Sequence, residues 1–130
     1  MATYIPSAFA GSQDDARRLI DRYPFAVLLT QGKDAPQISH LPLLFEARDG
    51  GDVLVGHVAK ANPQLEPMAS RMPSARRAAL LGGIVGFEPA IRQVDVTLKL
   101  SQNKSAADRV GVIAGLRGEN QEELLSWMLL

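Results

Sequence analysis

The chain contains no cysteine. Disulfides, thiolate metal sites and cysteine nucleophiles are therefore excluded, and the absence fits a cytoplasmic protein. Charge of either sign in excess is also missing, because fourteen Lys and Arg balance fourteen Asp and Glu. Zero net charge argues against bulk electrostatic binding to DNA or to an anionic membrane, although a local patch stays compatible with it. Aromatic residues make up only 5% of the chain, with a single tryptophan, and there are two histidines. No apolar run is long enough to span a bilayer. The opening "MATYIPSAFAGSQDD" lacks the basic-then-apolar order of a signal peptide. No Walker A, G-x-S-x-G or G-x-G-x-x-G pattern occurs.

What remains is the composition of a globular protein, 46% hydrophobic and 22% charged over 130 residues. That length predicts one domain, 1–130. Such a chain can bury about two thirds of the surface it exposes when unfolded.

The local signals predict an α+β chain. Ser12 and Asp15 have capping-box spacing and predict a helix over about 13–22, stopped by Pro24. "FAVLLT" (25–30) reads as a short buried strand, and "QGKDA" after it as a turn. "PQISHLPLLFEA" (36–47) is extended, with Pro42 marking an edge or bulge. "RDGGD" is a hairpin turn and "VLVGHVA" (53–59) a third strand. The three are expected to form a consecutive antiparallel meander.

Asn62 is expected to cap a helix reaching about Met72, with Pro63 at its first position. Residues 73–83 read as short and helical or irregular, and 84–100 as one or two strands around Pro89. Ser105 and Asp108 predict a helix to about Leu116, closed by Gly118. Asn120 with Glu123 is expected to start a last helix.

The strand-to-helix junction "GHVAKANPQLEP" (56–67) is where the chain departs from a generic domain. A helix beginning at Pro63 would leave the N–H groups of Gln64 and Leu65 pointing outward. Lys60 adds a full positive charge there. The expectation is a phosphate-type anion site; a capped helix with a nearby lysine that binds nothing is the alternative. A second junction, "KLSQNKSAAD" (99–108), gathers Lys99, Ser101, Gln102, Asn103 and Lys104 before a capped helix. It reads either as a ligand loop or as a solvated one.

The two histidines, His40 and His57, fall on different predicted strands and could be neighbours across a sheet. Without a third ligand they make a weak metal site, and a structural histidine bonded to a backbone carbonyl is the plainer reading. Ser39 and His40 point to opposite faces of a strand, so they cannot pair as nucleophile and base. The last two helices do not read as a DNA-binding pair, because "NQEELLSWMLL" carries Glu122 and Glu123 and no basic residue. Core or dimer packing, with Trp127 as anchor, fits better. "ARR" at 75–77 reads as a solvated basic spot.

Taken in order, "YIPSAF", "YPFAVLLT", "SHLPLLF", "GHVAKANPQ", "IVGFEPAI" and "KLSQNKSAADRVGVIAGL" resemble the PaiB-type FMN-binding negative transcriptional regulators, over residues 4–116. The resemblance implies an antiparallel split β-barrel, related in fold to pyridoxamine-phosphate oxidases. It implies a homodimer with FMN at the subunit interface, and a repressor role in which DNA is a possible partner. Carried onto this sequence, the cofactor region corresponds to Ser39, His40 and Leu41 on one strand and to His57, Lys60 and Asn62 after the next. The "KLSQN" motif corresponds to Lys99, Leu100, Ser101, Gln102 and Asn103, placed near the cofactor or the dimer interface.

The chain departs from that family pattern in its middle. The stretch with "SPSWY"-like and "PTWNY"-like motifs is missing, so the domain is internally shortened near 70–83. The tryptophan and basic residue usual before "KLSQN" are replaced by Leu98 and Thr97. Four or five strands are expected where about six would close a small barrel, which leaves edges to be covered or paired. The expectation is an FMN-binding, regulator-like protein more than an enzyme. A flavin-dependent oxidoreductase and a cofactor-free dimerisation module are the alternatives.

Overall fold

The computed structural model describes residues 3–71 and 82–129. It divides into two compact units, one made of Gln13–Val94 and the other of Met1–Ser12 with Asp95–Leu130. The architecture is α+β, with antiparallel sheets that do not close into a barrel among the described residues.

The larger unit begins with helix α1 (Gln13–Arg22), at the bounds its sequence signals predict. Strands β1 (Phe25–Gln31) and β2 (Pro36–Pro42) then form a two-stranded antiparallel sheet in which Leu28 faces Ser39 and Val27 faces His40. Both strands alternate strictly between half-buried or buried and exposed positions. Ala26, Leu28, Thr30, Gln37, Ser39 and Leu41 face inward, and Phe25, Val27, Leu29, Ile38 and His40 face outward.

The expected three-strand meander breaks at Leu43. Pro42 has no N–H to continue the ladder, and the Leu43 N–H turns to the Pro24 carbonyl at 2.8 Å. The Leu43 side chain enters the core. Beyond it, β3 (Leu44–Glu46), β4 (Val53–Ala59) and β5 (Ile84–Phe87) form a separate antiparallel sheet of order β3-β4-β5. Extended residues 36–47 thus serve two sheets, one on each side of the bend.

Buried Leu41, Leu43, Val58, Met68 and Phe87 form the core between these elements, with Ala26, Leu28, Leu54 and Leu65 packed against it. Each large side chain buried there is worth about 1.5–3 kcal/mol. Gly56 sits where a Cβ would come within 2.7 Å of Leu43 and 2.9 Å of Phe87, so the core itself requires glycine at that strand position. At the other end of β3, the Arg48 guanidinium bonds Glu88 at 2.9 Å and Glu46 at 2.6 Å. Those two carboxylates, Glu88 foremost, hold its proton even more firmly than usual.

Helix α2 (Leu65–Arg71) follows β4 and is shorter than expected, starting at Leu65. Most of the element expected over 73–83, the basic spot at 75–77 and most of the shortened stretch near 70–83 lie outside the described residues.

The smaller unit holds a 3-10 turn at Ser7–Phe9, an antiparallel bridge between Ala10 and Thr97, and helices α3 (Ala106–Gly118) and α4 (Glu122–Met128). The N-cap half of the predicted capping box is present, Asp108 N–H donating to Ser105 Oγ at 3.1 Å, but the Asp108 carboxylate accepts from the Ser105 hydroxyl at 2.8 Å and not from its backbone N–H. Gly118 does not close α3. The left-handed residue is Asn120, at φ 57. Its N–H reaches the Arg117 carbonyl and that of Gln121 the Leu116 carbonyl, the paired bonds of a Schellman ending. Asn120 therefore ends one helix and does not cap the next. Leu125, Trp127 and Met128 of α4 are buried, as expected of an anchor. Arg109 of α3 donates to the Met128 carbonyl at 2.9 Å.

Candidate anion and cofactor site

The loop after β4 is built by its side chains. Asn62 Oδ1 accepts from the Gln64 N–H at 2.9 Å, and the Asn62 carbonyl accepts from the Leu65 N–H at 3.1 Å. The two N–H groups expected to point free at an anion are both spent on closing the turn. A short helix whose first donors are satisfied in this way offers no anion cradle of its own. The positive charge of the junction rests on Lys60.

Two side chains bind this loop to the first sheet. Asn62 Nδ2 donates to Ser39 Oγ at 2.9 Å, across 23 residues of sequence. Gln64, 1% exposed, sends its Nε2 to three acceptors: the Gln37 carbonyl at 2.9 Å, Thr30 Oγ1 at 3.1 Å and the Leu28 carbonyl at 3.2 Å. The buried Oε1 atoms of Gln64 and Gln37 have no hydrogen-bond partner among the described residues.

The result is an open cavity of about 610 Å3 between the β1–β2 turn and the Lys60–Pro67 segment. Lys33, from the turn, and Lys60, from the loop, line it together with Gln31, Gln37 and Asn62. Glu66 is the acidic residue on its wall, with Pro63, Leu65 and Pro67 as apolar lining. Among the described residues neither lysine is held by a carboxylate. Two ammonium groups without a carboxylate partner suit a ligand with an anionic end. The volume lies within the ~300–1,000 Å3 of small-molecule sites.

The sequence-derived residues divide among several places. Lys60, Asn62 and Ser39 come together at this cavity or through its supporting bond. Leu41 is 6% exposed within the core, so its side chain faces packing partners. His40 is exposed on the outer face of the first sheet and stacks on Phe25, ring centroids 6.3 Å apart. His57 is exposed on β4, opposite Gly86 of β5. The two histidines are thus on different sheets and are not cross-strand neighbours, and both are exposed where the plainer reading made them structural. Among the described residues no group of three His, Cys, Asp or Glu side chains is placed to hold a metal ion.

Lys99, Leu100, Ser101, Gln102 and Asn103 belong to the other unit. Gln102 shapes its own loop there: its Oε1 accepts from the Leu100 N–H and its Nε2 donates to the Leu98 carbonyl, both at 2.6 Å. Ser101 adopts φ 61, in the left-handed region.

Sequence reasoning missed Lys33, Gln37 and the side-chain role of Gln64. "QGKDA" reads simply as a turn, and only the β1–β2 register, with Gln31 opposite Pro36, carries Lys33 to the loop of Lys60. Among these residues the adjacent Pro63-Gln64 pair was the available signal. A glutamine entering a short helix beside the core is a candidate for bonding the neighbouring strand.

These features define a small α+β ligand-binding domain with a cationic cavity and no helix long and apolar enough to cross a membrane among the described residues. Residues 3–75 match the family model "Putative FMN-binding domain", which is more than half of the chain. The chain belongs to that FMN-binding family, and its cofactor is FMN. The match is narrower than the motif resemblance over 4–116: the "KLSQN" loop and α3 lie beyond it. No curated protein and no solved structure is matched by the chain.

Proposed function

We propose that this chain is a PaiB-like, regulator-type FMN protein, a cytoplasmic homodimer that holds the flavin phosphate between Lys33 and Lys60. The observation that carries the reading is the 610 Å3 cavity into which two lysines without carboxylate partners bring their charge. Lys60 and Lys33 neutralise phosphate. Asn62 and Ser39 fix the loop. Bound FMN supplies a redox-active ring; the chain supplies charge, shape and shielding from water.

The outer face of the first sheet supports the homodimer. Phe25, Val27, Leu29 and Ile38 are 57–69% exposed and form one apolar patch with His40 beside it. Such a patch is the usual mark of an interaction surface. His40, at the edge of that patch, is assigned to a ligand shared between subunits by resemblance alone. His57, Lys99, Ser101, Gln102 and Asn103 are assigned, by resemblance alone, to the same shared site. The whole of 1–130 is read as one domain from its length, shortened near 70–83, and DNA is a possible partner by resemblance alone.

Titration of the purified protein with FMN, followed by flavin fluorescence, tests the site. Saturation is expected at micromolar FMN. A charge-assisted contact is worth about 1.5–3 kcal/mol, so Lys60→Ala should weaken binding about tenfold or more. Unchanged affinity would remove Lys60 from the site. NADH should leave the bound flavin oxidised; bleaching would favour the oxidoreductase reading instead.

A further inference from the structure

A second cavity lies in the larger unit, among α1, Phe45 of β3 and residues 91–94, and shares no lining residue with the lysine cavity. Its volume of about 170 Å3 is close to the ~150 Å3 that accommodates benzene in a protein interior. The lining has two parts. Ala16, Ile20, Ile91 and Val94 are buried or half-buried and make an apolar floor, while Asp14, Arg17, Asp52 and Arg92 bring charges of both signs.

Those charges do not neutralise one another. Asp14 and Arg17 stand three residues apart on α1, the spacing at which helix ion pairs form. The Arg17 guanidinium instead lies over the Phe45 ring, 4.7 Å from its centroid. Among the described residues no hydrogen bond or ion pair engages the side chain of Asp14, Asp52 or Arg92 either. Stacking on an aromatic face holds a guanidinium in one orientation and leaves its N–H edge available for a carboxylate. Asp52 is half-buried, and its backbone is fixed by the Ile91 N–H, which donates to the Asp52 carbonyl at 2.9 Å. Two orientable cations and two carboxylates around an apolar floor match a ligand that carries both charges and a compact apolar group.

We propose that this cavity binds a small zwitterionic α-amino acid with a branched apolar side chain. Arg17 and Arg92 receive its carboxylate, Asp52 and Asp14 its ammonium group, and the Ile20–Ile91–Val94 floor its side chain. The proposal is independent of FMN binding, because the two cavities share no residue.

The test is an amide-resolved NMR titration of the full chain with L-valine, isovalerate and isobutylamine. Isovalerate lacks the ammonium group and isobutylamine lacks the carboxylate. L-valine should give saturable shifts at Arg17, Asp52 and Ile91, and each analogue should bind at least about tenfold more weakly, since a site built for an ionic group rejects a ligand without it. Arg17→Gln and Asp52→Asn should each weaken L-valine about tenfold while leaving the far-UV CD spectrum and FMN affinity unchanged. No saturable shift up to about 20 mM, well beyond millimolar affinity, would overturn the proposal. So would equal binding of L-valine and isovalerate, or shifts confined to the Lys33 and Lys60 loops. Should either variant fail to fold, the ligand series on the unaltered chain decides alone.

Discussion

Replacing Gln64 by leucine removes the one side chain that bonds the Lys60 loop to three acceptors of the first sheet. Its Nε2 makes contacts of 2.9, 3.1 and 3.2 Å in a site that is 1% exposed. Each buried hydrogen bond contributes about 1 kcal/mol net, and an acceptor left without a donor costs about 1–3 kcal/mol. Leucine also removes the buried Oε1, which has no partner among the described residues, and this returns about 1 kcal/mol. The balance is a loss of about 2–4 kcal/mol. At about 3–5 °C per kcal/mol for a chain of this size, the melting temperature should fall by roughly 10 °C. Urea unfolding followed by far-UV CD gives the free energy directly. Hydrogen exchange should show faster exchange in the β1–β2 turn and at residues 60–65. Gln64→Glu should be worse than Gln64→Leu, because a carboxylate keeps the shape but offers no donor. A Gln64→Leu protein as stable as the wild type, with unchanged exchange at the turn, would refute the account of how the cavity walls are joined.

Other outcomes follow from the same geometry. Gly56→Ala should cost about 1–3 kcal/mol by overpacking, since its Cβ would meet Leu43 at 2.7 Å and Phe87 at 2.9 Å; a thermal melt within a degree of wild type would contradict this. Ser105→Ala removes the acceptor for the Asp108 N–H and should lower stability by about 1 kcal/mol, read from the denaturation midpoint. Lys33→Ala should weaken FMN about tenfold with little change in melting temperature, which separates a ligand contact from a structural one. Arg48→Gln should destabilise modestly, and its difference from wild type should shrink at high salt, because the Arg48–Glu46–Glu88 cluster is a surface one.

The local elements were largely legible in the sequence. Proline and capping residues act over a few positions, so α1 begins and ends as its signals predict and Ser105 caps α3 through Asp108. The strand at 25–31 is legible as well, but its apolar run reads as buried, whereas Phe25, Val27 and Leu29 are 59–69% exposed, because only one face of the two-stranded sheet meets the core. At Lys60 and Asn62 the sequence identified the loop that carries the charge.

Tertiary structure decided the rest, because each remaining feature depends on residues distant in the chain. Pro42 signals a defect in a strand, but only the Leu43–Pro24 bond and the burial of Leu43 turn that defect into a change of sheet. A cap was readable at Asn62. That its amide also reaches Ser39, and that Gln64 spans to Leu28, Thr30 and Gln37, follows from the packing of the loop on the first sheet. The N–H groups of Gln64 and Leu65 are the exception, consumed locally by Asn62, while the packing brought Lys33 and Lys60 to one cavity. His40 and His57 separated for a like reason: alternation fixes which face a side chain takes, but sheet partnership fixes its neighbours. Sequence determines short-range backbone preference through sterics and capping; long-range pairing is chosen by which apolar surfaces can be buried together.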